Sequence, residues 1–539
     1  MKHFCAIPLF LFIVAANAQQ YDLIIRGGNV YNGLGTNHFV ADIGIRKDTI
    51  AFIGDLSKAT AIREVNATGL EVAPGFINML SWAESTLLKD GRAMSDIKQG
   101  VTLEVMGEGL SAGPRKPRAK DKRWLTLGQF FTYLERQGVT PNFASFVGAT
   151  TVRLYLLDQA DKKPDKEQLT QMKNLVAQAM REGAMGLGSS LIYAPATFAG
   201  TDELIELSKV ASAYGGMYIT HMRSESDFIY EGLNETFRIA REANIPTEIF
   251  HLKINHDRNW KKIDTVLFKI DSARKAGLKI TADMYPYTAS GTSLTARLPA
   301  WVQEGGSKEM RKRLVDPVSR KRVLYELEHG IPSRNSHPKD VMLLGFKKDS
   351  LNKLYRGKRL DEVSRMHGKN ADETMLDLLV ADKTSIPALF FLMDEENMKR
   401  MLKLPYVSIC SDAAAYAAEP PDIDEGIHPR AYGSFAKFLS DYVRDHQLMS
   451  LEEAIRRMTS LPASNLRLQK RGQIAKGYFA DIVIFDKDKI DDKATYEQPH
   501  QYAEGVIHVF VNGVQVLKDG NHTGAKPGRA IRGPGYKMK

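Results

Sequence analysis

The sequence predicts an α/β fold, a TIM-like (β/α)8 barrel with a small β-sandwich domain formed by both chain ends. Between residues 73 and 465, apolar strand-like runs alternate with amphipathic helical stretches, as in repeated βα units. Short alternating strands separated by turns occupy residues 19–72 and return in residues 466–539. The chain of 539 residues, 43% of them apolar, can also bury a core larger than one minimal domain needs.

Residues 1–18 predict a secretory signal peptide. A basic start is followed by an apolar stretch over residues 4–16, and residues 16–18, Ala-Asn-Ala, provide a small-residue cleavage site before Gln19. We therefore expect the mature protein to be periplasmic or secreted. No later segment offers roughly 20 uninterrupted apolar residues, so no membrane span is expected.

The predicted sandwich takes its first strands from residues 19–72 and its last from residues 466–539. Alternation of apolar and polar residues between turn signals marks the strand-like runs at 21–25, 27–31, 41–45, 49–54, 472–474, 480–486 and 506–513. The two ends are expected to pair into one domain.

Six runs in the middle of the chain illustrate the barrel strands: 75–80, 103–107, 217–221, 247–251, 280–283 and 407–412. Residues of about 291–350, rich in Lys, Arg and Glu, interrupt this repeat and predict an insertion beside the mouth of the barrel. Glu108, His221, His251 and Asp412 follow or close such runs. Because barrel enzymes build their sites from strand ends, we expect these four side chains to lie together.

Glu108, His221 and His251 are the predicted metal ligands. A single histidine at a strand end is more often structural than a ligand, but two histidines and a carboxylate at successive strand ends favour metal binding. Glycines on both sides of Glu108 leave its carboxylate uncrowded. Two imidazoles and one carboxylate, with water at the open position, are a recognised catalytic zinc site.

Several motifs together resemble the D-aminoacylases, or N-acyl-D-amino-acid deacylases, of the amidohydrolase superfamily. In chain order they lie at residues 73–77, 100–102, 143–148, 186–193, 220–223, 285–289, 411–412 and 428–433. The resemblance covers nearly all of the mature chain. It implies a barrel capped by a β-sandwich, a tightly held zinc ion, and hydrolysis of N-acyl-D-amino acids to a carboxylate and a free D-amino acid.

The sequence departs from this family at the end of the first barrel strand. Amidohydrolases usually carry His-x-His there, where this chain has Leu80 and Trp82. Neither side chain offers a ligand to a hard cation, so the site for a second metal is missing. The family also tends to place a cysteine where this chain has Glu108. A single divalent ion, Zn²⁺ by resemblance, is therefore expected, and a carboxylate in place of the thiolate shifts the metal preference towards harder ions.

Asp412, at the end of the last predicted strand, is the expected general base; the alternative is an aspartate that caps the following helix. Lys253, close after His251, is well placed to bind a substrate carboxylate. The resemblance adds Tyr193, Tyr287 and Arg297 as substrate-binding candidates, and a surface cation is the alternative for Arg297.

The expected partner is a small-molecule N-acyl amino acid. Although the net charge is +10 and the pI about 9.2, the basic residues are scattered among many acidic ones, which does not favour nucleic acid. The sequence leaves the oligomeric state open. Two alternatives remain: another amidohydrolase, hydantoinase-like or a D-dipeptidase, and a barrel that has lost catalysis and only binds a ligand.

Overall fold

The computed structural model describes residues 21–117, 123–330, 336–420, 422–424 and 426–537. The predicted signal peptide lies outside these ranges. In chain order the described strands are β1 Tyr21–Val30, β2 Phe39–Arg46, β3 Thr49–Gly54, β4 Ala61–Asn66, β5 Glu71–Pro74, β6 Phe76–Asn78, β7 Val101–Met106, β8 Asn142–Ser145, β9 Val147–Gly148, β10 Gly186–Ser190, β11 Met217–His221, β12 Thr247–Ile249, β13 Ile280–Met284, β14 Ser290–Ser293, β15 Val341–Leu343, β16 Pro387–Phe390, β17 Val407–Ile409, β18 Ile482–Phe485, β19 Val506–Val511, β20 Val514–Lys518 and β21 Asn521–His522.

The described α-helices lie between these strands. They are α1 Glu84–Lys89, α2 Met94–Ile97, α3 Leu127–Gln137, α4 Ala149–Leu157, α5 Lys166–Glu182, α6 Thr201–Ala213, α7 Ile229–Glu242, α8 Asp257–Trp260, α9 Ile263–Lys275, α10 Ala300–Gln303, α11 Ser307–Val315, α12 Pro317–His329, α13 Asp349–Tyr355, α14 Leu360–His367, α15 Ala371–Asp382, α16 Glu395–Leu402, α17 Arg430–Lys437, α18 Leu451–Met458 and α19 Ser460–Asn465. A π-helical turn over Phe438–Asp445 continues α17. In the described part of the chain, no helix is both long and apolar enough to cross a membrane.

The two chain ends join in one nine-stranded sheet. Its order is β21-β20-β19-β18-β5-β1-β2-β3, and β4 lies beside the first half of β1. The ends meet where β18 pairs antiparallel with β5, with Ile484 opposite Val72. Leu23 and Ile25 from the first end pack in the same core as Ile482 and Ile484 from the second. The run at 472–474 lies outside any described strand.

A parallel (β/α)8 barrel fills the middle of the chain. β6, β7 and β8 form one parallel set, and the order β9-β10-β11-β12-β13-β17 continues it. β8 and β9 occupy a single barrel position because only Phe146 separates them. A parallel bridge between Ser81 and Ala413 closes the barrel, and the Asp412 amide donates to the Leu80 carbonyl at 3.0 Å. This closure brings the first and last strand ends together.

The segment between β13 and β17 contains the predicted insertion. β14, β16 and β15 form a separate three-stranded antiparallel sheet in that order, so residues 290–293 pair with residues 387–390. Helices α10 to α15 pack on this sheet around their own apolar core, which includes Leu314, Leu376 and Leu379. The predicted end near residue 350 falls inside this unit.

Candidate metal centre and active site

Glu108 follows β7 in a turn that requires the glycines on both sides of it. Gly107 has φ +102° and Gly109 φ +80°. A Cβ at Gly107 would lie 2.5 Å from the Phe146 carbonyl oxygen, and one at Gly109 would lie 2.7 Å from the Ser190 Cβ. A side chain at either position would be strained and would clash, so the turn that presents the Glu108 carboxylate depends on both glycines.

His221 and His251 meet Glu108 at the carboxyl end of the barrel. His221 is the last residue of β11, and its Nδ1 lies 3.1 Å from Glu108 Oε1. His251 lies two residues beyond β12 with φ +35°, and its Nε2 lies 3.3 Å from the same oxygen. The His251 amide donates to Asp283 Oδ1 at 2.7 Å, which fixes this turn from β13.

The three side chains form a donor set that fits a divalent metal ion. One ligand atom from each lies within 4.8 Å of the other two. Burial alone would raise the pKa of Glu108, but hydrogen bonds and charge from His221 and His251 lower it to about 2, so the carboxylate is ionised. Two imidazole nitrogens and an ionised carboxylate suit zinc and similar ions.

Glu225 contacts the opposite edges of both histidine rings and was given no role by the sequence. Its Oε1 lies 3.0 Å from His251 Nδ1, and its Oε2 lies 3.5 Å from His221 Nε2. Lys253 Nζ donates to Glu225 Oε1 at 2.7 Å. Burial would raise the pKa of Glu225, but the charges of His221, Lys253 and His251 lower it far below its usual range. A carboxylate behind ligand histidines fixes ring orientation and tautomer.

The pKa of His251 is raised to about 10. Burial and the charge of Lys253 oppose its protonation, but Glu225, Asp412 and Glu108 outweigh them. The three carboxylates around His251 therefore favour a cation at the cluster formed by Glu108, His221 and His251.

Asp412 lies where β17 has ended and lines the same cavity as both histidines. It has φ +49°, and its Oδ2 pairs with Arg430 Nη1 at 2.6 Å. Within the described residues, Asp412 Oδ1 is buried and accepts no hydrogen bond. Burial raises the pKa of Asp412, although Arg430 and His251 act to lower it. A carboxylate with one free oxygen and a raised pKa suits proton transfer.

Arg430 is held in turn by the loop before α17. Its amide donates to His428 Nδ1 at 2.9 Å, and its guanidinium lies 4.5 Å from the centroid of the Tyr285 ring. Because Nδ1 of His428 accepts this bond and burial lowers the pKa of the ring, His428 is neutral and donates from Nε2 to the Ala289 carbonyl at 2.8 Å. These contacts orient the guanidinium that faces Asp412.

A cavity of about 470 Å³, here called the cationic cavity, opens onto these residues. Its described lining includes Lys253, Arg223, Arg297 and Arg430 as well as Tyr193. Tyr193 Oη lies 2.9 Å from Thr292 Oγ1 of β14, and its ring stands edge-on to His221. The site is thus built from both the barrel and the inserted unit.

Both predicted substrate-binding cations, Lys253 and Arg297, line this cavity in buried positions. Lys253 lies beside Glu225 and donates to the carbonyl of His251 at 3.1 Å. Arg297 is only 3% exposed and lies 3.2 Å from Asp372 Oδ1, so it is not a surface cation.

Tyr287 is not a lining residue of the cationic cavity. Its hydroxyl donates to Asp492 Oδ2 at 3.2 Å, next to the C-terminal β-rich part of the chain. Tyr285 lines the cavity instead. Because β13 ends at Met284, strand alternation no longer places residues 285 and 287 on the same face. We therefore remove Tyr287 from the substrate-binding group and replace it with Tyr285.

Leu80 and Trp82, which stand where amidohydrolases usually carry the first-strand histidine pair, differ in their exposure. Leu80 is fully buried, whereas Trp82 is 40% exposed and borders the cationic cavity. Neither provides a metal ligand, and the first barrel strand adds no third nitrogen to the site.

A parallel barrel whose strand ends bring two histidines and a glutamate together, with an aspartate nearby, is the architecture of a metal-dependent hydrolase. A model of the amidohydrolase family matches residues 421–517. The chain is 34% identical over 528 residues to D-aminoacylase of Alcaligenes xylosoxydans xylosoxydans, covering 96% of this chain and 98% of that protein. This protein therefore belongs to the D-aminoacylase family of amidohydrolases.

Solved structures agree with this assignment. The crystal structure of a D-aminoacylase superposes with a TM-score of 0.79 at 32% identity, covering 95% of this chain and all of that one. The N-acyl-D-glutamate deacylase of Bordetella bronchiseptica, solved with zinc and a phosphonate mimic of the tetrahedral intermediate, gives 0.79 at 27% identity, with 95% and 100% covered. The chain is accordingly an amide hydrolase with a (β/α)8 barrel and a β-rich second domain.

Proposed function

We propose that this protein hydrolyses the amide bond of N-acyl-D-amino acids, using one zinc ion held by Glu108, His221 and His251. The observation that carries the proposal is the cluster of these three side chains next to Asp412, which lines the cationic cavity together with both histidines. The D configuration is supported by the named activity of the relatives at 34% and 31% identity, D-aminoacylase and N-acyl-D-glutamate deacylase.

A divalent ion in this site would supply Lewis-acid polarisation of the scissile carbonyl and of water. Asp412 takes the proton of the attacking water at its free Oδ1 and returns it to the leaving nitrogen, which departs only when protonated. Arg430 holds the other oxygen of Asp412 in place and favours its ionised form. Glu225 keeps the two histidine rings in orientation.

The amino-acid end of the substrate is assigned to the cationic cavity. Its carboxylate needs donors, and Arg297, Lys253 and Arg430 provide positive charge along the wall. Lys253 and Arg297 each have a carboxylate neighbour, Glu225 and Asp372, so the substrate carboxylate would share these cations. Tyr193 and Tyr285 complete the walls near the reacting carbonyl.

A single zinc ion is supported by the donor set. Leu80 and Trp82 offer no donor where a second site would need one, and the N-acyl-D-glutamate deacylase structure was solved with zinc. The imidazole-rich set favours zinc, whereas the Glu108 carboxylate also tolerates harder ions.

The test is a hydrolysis assay on purified protein with paired D and L enantiomers of N-acetylated amino acids, beside hydantoins and D-dipeptides. We expect release of free amino acid from the D enantiomers alone. Turnover of hydantoins or dipeptides in place of acyl amino acids would overturn the proposal in favour of another amidohydrolase. Binding without turnover of any substrate would favour a ligand-binding protein.

We also propose that the protein is exported, on the signal-peptide pattern of residues 1–18. Fractionation of the native cells and N-terminal sequencing test this. A mature N-terminus at Gln19 in the periplasm or medium supports export, and an intact Met1 in the cytoplasm contradicts it.

A further inference from the structure

A second cavity, of about 490 Å³, lies next to the metal site. Trp82 and Tyr193 line both this second cavity and the cationic cavity. Glu108 lines the second cavity, whereas His221 and His251 line the cationic one. The predicted metal ligands therefore stand at the junction of two cavities, each of a size typical of small-molecule sites.

The two cavities differ in charge. The cationic cavity carries three guanidinium groups and one ammonium group beside the carboxylates of Glu225, Glu231 and Asp412, whereas none of the described residues that line the second cavity is Lys or Arg. Its ionisable carboxylates are Glu108 and Glu84. An anionic ligand group would be repelled there, and an uncharged one would not.

The walls of the second cavity also carry large apolar side chains. Leu110 is 59% exposed and Trp82 is 40% exposed, and Leu154 of α4 faces the same space. A neighbouring groove shares Leu110 and Leu154 with this cavity and extends to Trp124 and Phe130. These exposed side chains next to the reaction centre offer apolar surface that an apolar ligand group would cover.

We propose that the second cavity binds the acyl part of the substrate, and that this part is an uncharged linear aliphatic chain of several carbons. The proposal rests on the function proposed above. The scissile carbonyl must lie at the metal ligands and the leaving nitrogen must reach Asp412, which lines the cationic cavity. The amino acid then extends into the cationic cavity, and the acyl group extends the other way.

Trp82 gives this cavity its selectivity for apolar groups. The indole stands at the strand end where a metal-binding histidine would make the surroundings polar, and it forms part of the wall between the two cavities. Loss of the histidine pair thus replaces a second metal site with an apolar surface beside Glu108.

The experiment measures kcat/KM for one D-amino acid carrying acetyl, butanoyl, hexanoyl, octanoyl and decanoyl groups. Each methylene that becomes buried is worth about fourfold in kcat/KM, so octanoyl is expected to exceed acetyl by at least about a hundredfold. Leu154→Trp, which fills the cavity from α4, should lower the octanoyl-to-acetyl ratio by at least about tenfold. Leu354→Trp is the matched control because Leu354 is 52% exposed on α13, away from both cavities, and it should leave the ratio unchanged.

The outcomes separate this inference from the function on which it rests. No turnover of any acyl-D-amino acid overturns the proposed function. Turnover that is flat or falls with chain length overturns the acyl assignment and leaves the function standing. The effect of Leu154→Trp could instead depend on the size of the amino-acid side chain and not on the acyl length. That result would place the amino acid in the second cavity and would also overturn the acyl assignment.

Discussion

Glu225 lies behind both histidines of the metal site, on the ring edges that face away from Glu108. Its two oxygens lie 3.0 Å from His251 Nδ1 and 3.5 Å from His221 Nε2. When the opposite ring nitrogens bind a cation, the charge of this carboxylate favours protons on the two nitrogens that face it and so favours the required tautomer. The site therefore depends on a residue that is not itself a predicted ligand.

We expect Glu225→Gln to weaken metal affinity by about 10- to 100-fold, because an amide cannot accept from both rings and carries no charge. Competition with a chromogenic chelator measures this affinity. Glu231→Gln is the control, since Glu231 lines the same cavity and is exposed. Equal metal affinity in the two variants would contradict the orienting role of Glu225.

Asp412 is the proton carrier, so its amide variant should separate binding from turnover. Asp412→Asn is expected to keep metal and to lose about 10²- to 10⁴-fold in kcat, the usual range for a lost general base. Metal content and steady-state rates on one preparation provide both readings. A variant with near-normal kcat would remove Asp412 from the mechanism.

At the scale of elements, β6, β7 and α2 share a buried pair of carboxyl groups beneath the site. Asn78 Nδ2 lies 3.3 Å from Asp96 Oδ1, 3.0 Å from Glu104 Oε2 and 2.8 Å from Ser411 Oγ. Asn78 Oδ1 accepts from the Ser411 amide at 2.9 Å. This network ties the first barrel strand to the residue that precedes Asp412.

The pair makes folding depend on pH. Burial raises the pKa of Glu104 to about 7, and burial together with the charge of Glu104 raises that of Asp96. Both pKa values are higher in the folded than in the unfolded chain. The stabilising contribution is therefore complete below the ordinary carboxyl pKa near 4 and is lost as the pH rises through about 7 and above.

We expect the Tm of the unchanged protein to fall between pH 5.5 and pH 9. The Tm of Asp96→Asn should fall by about 2 °C less over the same range, because the variant cannot ionise at this position. Thermal unfolding followed by circular dichroism measures both. Glu396→Gln, at an exposed position of α16, should behave like the unchanged protein. An identical pH response in Asp96→Asn would show that the pair does not hold a proton in the folded state.

The sequence predicted the elements that have a local pattern. Polar residues follow the predicted strands at their carboxyl ends. Because all strands of a parallel barrel end on the same side, this pattern predicted that Glu108, His221, His251 and Asp412 lie together. Glu225 was missed because it lies in the loop after β11, and no periodicity shows that such a loop turns back on the histidines. Its position four residues after His221 was the only signal.

The inserted unit shows a second limit. β16 pairs with β14 across a long stretch of helices, so no local pattern links residues 387–390 to residues 290–293. The sequence-based boundary near residue 350 therefore fell short. The incorrect choice of Tyr287 over Tyr285 as a cavity residue has a similar origin. The alternation of side chains between the two faces of a strand no longer applies after β13 ends at Met284.

At the scale of the whole molecule, the barrel, the inserted unit and the joined chain ends have separate roles around one centre. The barrel supplies the predicted metal ligands and Asp412, and the inserted unit supplies Arg297 to the cationic cavity. The nine-stranded sheet joins both ends of the chain beside the barrel. Amide hydrolysis at a single metal ion is the function that this arrangement supports.

The most direct test is elemental analysis of the mature protein purified without added metal, with hydrolysis of an N-acyl-D-amino acid assayed on the same sample before and after chelation. We predict close to a single zinc or similar divalent ion per chain, loss of activity on chelation, and recovery when zinc is restored. A metal-free protein that stays inactive after reconstitution, or one whose activity survives complete removal of metal, would contradict a one-metal amidohydrolase.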